Sequence, residues 1–151
     1  MKLSQGFTLL ELMIAIAIIT FLSVLTLPSL MKTLARSKRT EAYLYLRTLA
    51  QAQKVYYAEH GKYTSDLSGP GGIGWAPEGN HIYTYGFAGT PEGVGHFIGS
   101  ADTPASALTG SRVTRSEFVV AAAGKIYGDT LDVLTLDQTG TLKIVSDGLQ
   151  S

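Results

Sequence analysis

The chain contains no cysteine among its 151 residues. A disulfide is therefore excluded, and with no G-x-S-x-G motif either, nucleophilic catalysis has no recognisable signature. Net charge is missing as well: 12 Lys and Arg balance 12 Asp and Glu, so no strong field points toward nucleic acid or an acidic substrate. Metal-ligand spacing is absent too. His60, His81 and His96 are scattered, without an H-x₃-H or H-E-x-x-H arrangement, and read as separate loop or strand-edge residues. There is no internal repeat and no sign of a second domain. The length suits one modest domain beside a long helix, and 17 glycines point to a loop-rich globular part.

What is present is an apolar run. From Phe7 to Met31 the chain stays apolar for about 25 residues, enough to cross a bilayer as a helix. One charge, Glu11, interrupts it, with Lys2 ahead of the run and Lys32, Arg36, Lys38 and Arg39 behind it. Charge alone would keep the heavier basic flank in the cytoplasm. A carboxylate in such a span costs about 2.5–3.5 kcal/mol near the centre and less near an end. Glu11 therefore either has a partner or lies shallow enough to reach the headgroups. A short cationic start before an apolar core also fits a secretory signal peptide. Against that, the run is long, Glu11 interrupts its start and no A-x-A site closes it. A plain membrane anchor is a further reading.

Gly6-Phe7-Thr8-Leu9-Leu10-Glu11-Leu12, followed by the aliphatic stretch Met13 to Ile19 and preceded by a short basic leader, closely resembles the class III signal of type IV pilins and pseudopilins. The resemblance implies cleavage between Gly6 and Phe7 by a prepilin peptidase and N-methylation of Phe7. It also implies pairing of Glu11 with the Phe7 amine of a neighbouring subunit. The precursor would cross the bacterial inner membrane once. An inner-membrane assembly platform would then build it, with further copies and other pilin-like subunits, into a filament. The rest of the chain would lie outside the cytoplasm, against the expectation from the Lys32 to Arg39 cluster. Pro28 stands where many such proteins carry a helix-bending proline, and its missing N–H frees the carbonyl of Val24. Thr20 stands where many have glycine; Thr20, Ser23 and Thr26 can still weaken the helix by bonding to backbone carbonyls. The function implied is a structural subunit of a type IV pilus or pilus-like filament, not an enzyme. The alternatives are a type II secretion pseudopilin in a periplasmic pseudopilus, or a membrane-anchored periplasmic enzyme or binding domain.

Read in order, residues 1–6 form the leader, 7–31 the membrane or filament-core helix and 32–151 the globular head. Within the head, the pattern predicts a second helix half over 32–60, a loop over 61–81 and an antiparallel sheet over 82–151. One helix, bent at Pro28, is expected from Phe7 to about His60, with Gly61 as its left-handed C-terminal residue. After Lys32 the helix becomes amphipathic. Ala42, Tyr45, Leu49, Ala52 and Tyr56 recur at helical spacing as a buried stripe, while Arg39, Arg47, Gln51 and Lys54 fall mainly elsewhere. Gly69-Pro70-Gly71-Gly72-Ile73-Gly74 matches G-x-G-x-x-G in form only, because no strand precedes it and no helix follows. It reads as a surface loop tethered by Trp75.

Strands are expected at Ile82–Phe87, Gly93–Ile98, Glu117–Ala122, Leu131–Leu136 and Thr141–Val145, the last two joined by an Asp137–Gly140 turn. Thr103 and Pro104 suggest the start of a short helical turn. Thr114-x-x-Glu117 is a capping-box pattern arguing for helix, outweighed by the β-branched and aromatic residues that follow. The class is α+β: a long helix whose second half packs on a small antiparallel sheet, as in type IV pilins.

Many relatives of this kind close the C-terminal region with a disulfide, so here packing or a metal must replace it. Asp129, Asp132, Asp137 and Asp147 are hard oxygen ligands suited to a structural calcium ion, a device some pseudopilins use, although Asp is also a common turn residue. No other cofactor is expected. Tyr56, Tyr57 and Tyr63 read as packing at the end of the helix, with electron transfer as the alternative. The basic segment Lys32 to Arg47 reads as intersubunit pairing or solvation of the helix rather than a nucleic-acid site.

Overall fold

The computed structural model describes residues 6–150. The expected leader, including Lys2, falls outside them except for Gly6. The chain divides into two compact units, one ending at Leu34 and the other beginning at Ala35.

Helix α1 runs Leu9–His60. It ends as expected: Gly61 takes a left-handed φ of 67° and donates its N–H to the carbonyl of Tyr57 at 2.8 Å, a geometry that costs glycine nothing. In the first unit the large apolar residues of α1 are exposed, with no buried position before Ala35. In the second unit the buried positions are Ala35, Arg39, Ala42, Leu46, Leu49, Ala50, Gln53 and Tyr56. Most of these follow the alternating four- and three-residue steps of a single helix seam. The expected stripe is therefore right at Ala42, Leu49 and Tyr56, whereas Tyr45 and Ala52 lie half-buried beside it. Arg39 corrects the sequence reading. It belongs to the seam, and its charge is met from the sheet.

The sheet is antiparallel, with strands β1 (Thr84–Gly86), β2 (His96–Phe97), β3 (Arg112–Val113), β4 (Phe118–Lys125), β5 (Leu131–Asp137) and β6 (Leu142–Ser146). Its order is β2-β1-β4-β5-β6, with β3 also on β4. The two share one edge of β4: β3 takes Phe118 and Val119, β1 takes Ala121 to Ala123. One sheet face meets α1 through Tyr83, Tyr85, Phe118, Val120, Leu134 and Leu136. The other is covered by Leu108, packed with Ala121, Ala123 and Val133. This is the α+β class expected.

Three local features go beyond the sequence pattern or depart from it. Strand β3 carries no pattern of its own, having only two residues. Only half of the Thr114-x-x-Glu117 pattern forms: Thr114 Oγ1 accepts the Glu117 N–H at 3.0 Å, while the Thr114 N–H goes to the Glu117 backbone carbonyl at 2.8 Å rather than to its carboxylate. These close the turn joining β3 to β4 rather than start a helix. The short helical turn lies at Ala105–Ala107 with Pro104 as its N-terminal cap. Thr103 is buried and lends its carbonyl to Thr84 Oγ1 at 2.5 Å instead of capping.

Candidate functional site

The start of α1 is built by two residues of the signal-like segment. Thr8 Oγ1 accepts the Glu11 N–H at 3.2 Å, and Glu11 Oε2 accepts the Thr8 N–H and the Thr8 hydroxyl, both at 2.9 Å. This is a reciprocal capping box, with Thr8 as N-cap and Glu11 as the third helical residue. Weighing Glu11 only as a charge in an apolar run passes over it. The signal is nevertheless in the sequence, since Thr8-x-x-Glu11 directly precedes a helical pattern. A cap of this kind is worth about 1 kcal/mol. The carboxylate also sits at the positive end of the helix dipole. Both Thr8 contacts fall on Oε2, so the other carboxylate oxygen takes no part in the box. Gly6, Phe7, Thr8 and Glu11 line an open hollow of about 440 Å³, and the Phe7 side chain is 85% exposed.

Behind this start, α1 is long and apolar enough to cross a membrane, and its most apolar window is wholly unburied. Hydroxyls turn back onto its own carbonyls: Thr20 onto Ile16 at 2.8 Å, Ser23 onto Ile19 at 2.7 Å and Thr26 onto Leu22 at 3.1 Å. Pro28 lies inside the helix and cannot donate to Val24. The stretch from Ile16 to Pro28 thus combines weakened and missing rungs of the helix ladder.

The aspartates of the C-terminal third divide. Asp132 is fully buried and accepts from Arg39 Nε at 3.0 Å and from the Tyr83 hydroxyl at 2.6 Å, both on Oδ2. Its Oδ1 accepts from Arg39 Nη2 and, at 2.9 Å, from the Gly148 N–H. Asp147 binds the same Arg39 Nη2 and accepts the Leu149 N–H at 3.0 Å. Gly148 is required here, because a Cβ would lie 2.7 Å from that of Asp132.

Burial alone would lower the Arg39 pKa, but the hydrogen bonds it donates to Asp132 and Asp147, together with their negative charges, outweigh it and raise it. The hydrogen bond from Arg39 holds Asp147 below the ordinary carboxylate range. Burial, reinforced by Asp132, raises the Tyr83 phenol, so it stays protonated. One guanidinium thus ties the helix seam to β5 and to the C-terminal segment. Asp137 serves its turn, accepting the N–H groups of Thr139 at 2.9 Å and Thr141 at 3.0 Å. Asp129 does not join Asp132 and Asp147 at Arg39. Among the described residues, no three of His, Asp and Glu gather closely enough to hold a metal ion.

The histidines also stay apart in role. His60 stacks on Tyr56 at 4.0 Å, His81 lies against Tyr45 and Tyr85, and His96 is buried beside Thr90. Tyr57 stacks on Tyr63, which meets the edge of Phe118 at 4.8 Å, a packing arrangement at the end of the helix. In the Gly-rich loop, Asp66 accepts the Gly69 N–H at 2.7 Å, so the loop wraps a carboxylate of its own. Trp75 tethers it by donating Nε1–H to Thr48 Oγ1 at 3.0 Å.

Residues 1–27 match the family described as prokaryotic N-terminal methylation motif. Over a longer stretch the chain is similar to pilus proteins. It is 44% identical over 82 residues to the type IV major pilin protein PilA of Myxococcus xanthus, covering 54% of this chain and 36% of that one. It is 36% identical over 66 residues to a type IV wide pilus major component of Thermus thermophilus, covering 44% and 50%. It is 39% identical over 69 residues to a type IV major pilin protein of Neisseria gonorrhoeae, covering 46% and 42%. The chain spans half or less of the length of these relatives. The resemblance to type IV pilins read from the N-terminal residues is borne out, and a long helix followed by a small antiparallel sheet is the architecture consistent with it.

Proposed function

We propose that the chain is a structural subunit of a type IV pilus. It is made as a single-pass precursor in the bacterial inner membrane, cut between Gly6 and Phe7 by a prepilin peptidase and methylated on Phe7. An inner-membrane platform then polymerises it through the apolar part of α1. The observation that carries this reading is the pairing of a methylation-motif N-terminus with a helix segment apolar enough to cross a membrane and unburied among the described residues. Such a surface has two stable environments, a bilayer and the packed interior of a filament. Moving it from lipid into protein gains little from water release, so assembly draws on side-chain packing and on polar contacts between helices.

Glu11 supplies the polar contact. Its carboxylate is ordered at the helix start by Thr8, next to the amine that cleavage would create on Phe7. An ammonium group from a neighbouring copy then meets a preset acceptor. The names of the three relatives refer to pili rather than to secretion, which favours a pilus over a pseudopilus and a structural over a catalytic role.

Intact-mass and N-terminal peptide analysis of native membrane and sheared-surface fractions tests the reading. A chain starting at N-methylated Phe7 and partitioning into sheared filaments is the expected result. A chain that keeps its leader in every fraction would sink it. Glu11→Ala should block efficient assembly without unfolding the head. Normal filaments from that variant, in a cell lacking other pilins, would overturn the role of Glu11 in assembly.

A further inference from the structure

The second unit carries a groove of about 680 Å³ beside the C-terminal half of α1, lined by Arg47, Gln51, Lys54 and Val55 of the helix and by Leu136 and Gly140 of the β5–β6 hairpin. Its floor is apolar and Val55 is 56% exposed. Arg47 and Lys54 form no ion pair among the described residues, where the Lys or Arg pairs are those of Arg39. Two free cations beside uncovered apolar surface call for an occupant with a carboxylate.

The chain contains such a feature elsewhere. From position 61 onward it carries nine acids against five bases, whereas residues 35–60 carry Arg36, Lys38, Arg39, Arg47 and Lys54 against Glu41 and Glu59. The surplus charge of the helix is therefore matched by the opposite surplus of the rest. Among the acids, Glu92 is exposed at the tip of a turn that is firmly held. The Pro91 carbonyl accepts from Val94 at 3.2 Å and Gly95 at 2.9 Å, the Gly93 N–H bonds the His96 carbonyl at 2.8 Å, and the Val94 carbonyl accepts the Leu67 N–H at 2.8 Å. A turn fixed in this way loses little freedom on docking. Sheet order separates it from the groove: the turn leads into β2 at one edge, while the groove uses the β5–β6 hairpin at the other.

We propose that the groove beside Arg47 and Lys54 receives the Glu92 turn of a second copy of this chain. Donor and acceptor surfaces then lie at different places on each copy, so the contact is head-to-tail. Repeated, it yields an open polymer rather than a closed dimer. This inference rests on the pilus reading and adds to it a contact between heads, alongside the packing of the apolar helices.

The absence of cysteine gives a clean background for the test. Gln51→Cys and Glu92→Cys are introduced singly and together into the full chain, and filaments are oxidised before denaturing electrophoresis. The double variant should give a ladder of dimers and higher species, while each single variant stays mainly monomeric. In parallel, R47E/K54E should lower filament yield about tenfold, Glu92→Lys should also lower it, and combining all three substitutions should restore it at least in part. All three side chains are exposed, so the thermal midpoint of the head should not move. If it does, R47Q/K54Q replaces the reversal. Filaments without a ladder, or at full yield after charge reversal, overturn the docking and leave the pilus reading intact. Loss of yield without rescue overturns it too, and shows that the groove holds another partner. A wild-type chain that forms no filament removes the pilus reading and the docking with it.

Discussion

Arg39 shows how one side chain changes the meaning of its neighbours. In sequence it extends a cationic flank behind an apolar run. In the fold it is a buried charge shared by Asp132 and Asp147. Breaking a buried pair by removing one partner leaves the other charge uncompensated, at a cost of about 3–5 kcal/mol. Arg39→Ala should therefore lower the stability of the head by that amount, read from urea or thermal unfolding, and a loss within experimental error would contradict a structural role for the clasp. Asp147 adds a pH dependence. Its folded pKa is depressed by Arg39, so its contribution is full above the ordinary Asp pKa of about 3.9 and is lost as pH falls toward the folded value. Midpoints should stay level from neutral pH to about pH 5 and then drop. Asp147→Asn should start lower and show a shallower acid decline; equal acid slopes would exclude Asp147 as a source of the drop.

At the scale of elements, α1 is one helix with two kinds of surface. Its first turn depends on Thr8 and Glu11 rather than on tertiary packing. Thr8→Ala should fray that turn by about 1 kcal/mol, while Thr8→Ser should keep the cap. Amide exchange at Glu11 in detergent micelles reports this directly: faster in the alanine variant and unchanged in the serine variant. Equal exchange in all three would mean that the box does not hold the turn. The β5–β6 hairpin is the plainest strand pair in the sequence, because alternation and an Asp-x-x-Gly turn agree. Strand β3 is invisible there for the opposite reason. Two residues contain no period, and Arg112 and Val113 become a strand only because β4 offers them Val119 and Phe118.

At the scale of the molecule, the missing cysteine raises the question of what holds the C-terminal region. The Arg39 clasp and the Gly148 N–H on Asp132 give it a tether without a covalent bond. With Asp132 and Asp147 both already bound to the Arg39 guanidinium, millimolar calcium or EDTA should leave the unfolding midpoint of the head unchanged. A rise with calcium that EDTA reverses would show that the aspartates serve a cation after all.

The N-terminal signal, the long helix, its end at Gly61, the α+β class and the main hairpins are legible from the chain alone. Each rests on short-range physics: hydropathy over a window, periodicity, capping and turn chemistry act between residues a few positions apart. What only the tertiary structure decided is which charges are surface and which are structural. Arg39, Asp132 and Asp147 lie far apart in sequence, and nothing local to any of them marks the partnership. The same holds for Gln53, which looks like a solvent-facing amide but is buried in the helix seam, donating to the Thr64 carbonyl at 2.5 Å. Such residues are placed by where the sheet meets the helix. Once placed, they remain only because a buried polar group without a partner would cost more than the fold can spare.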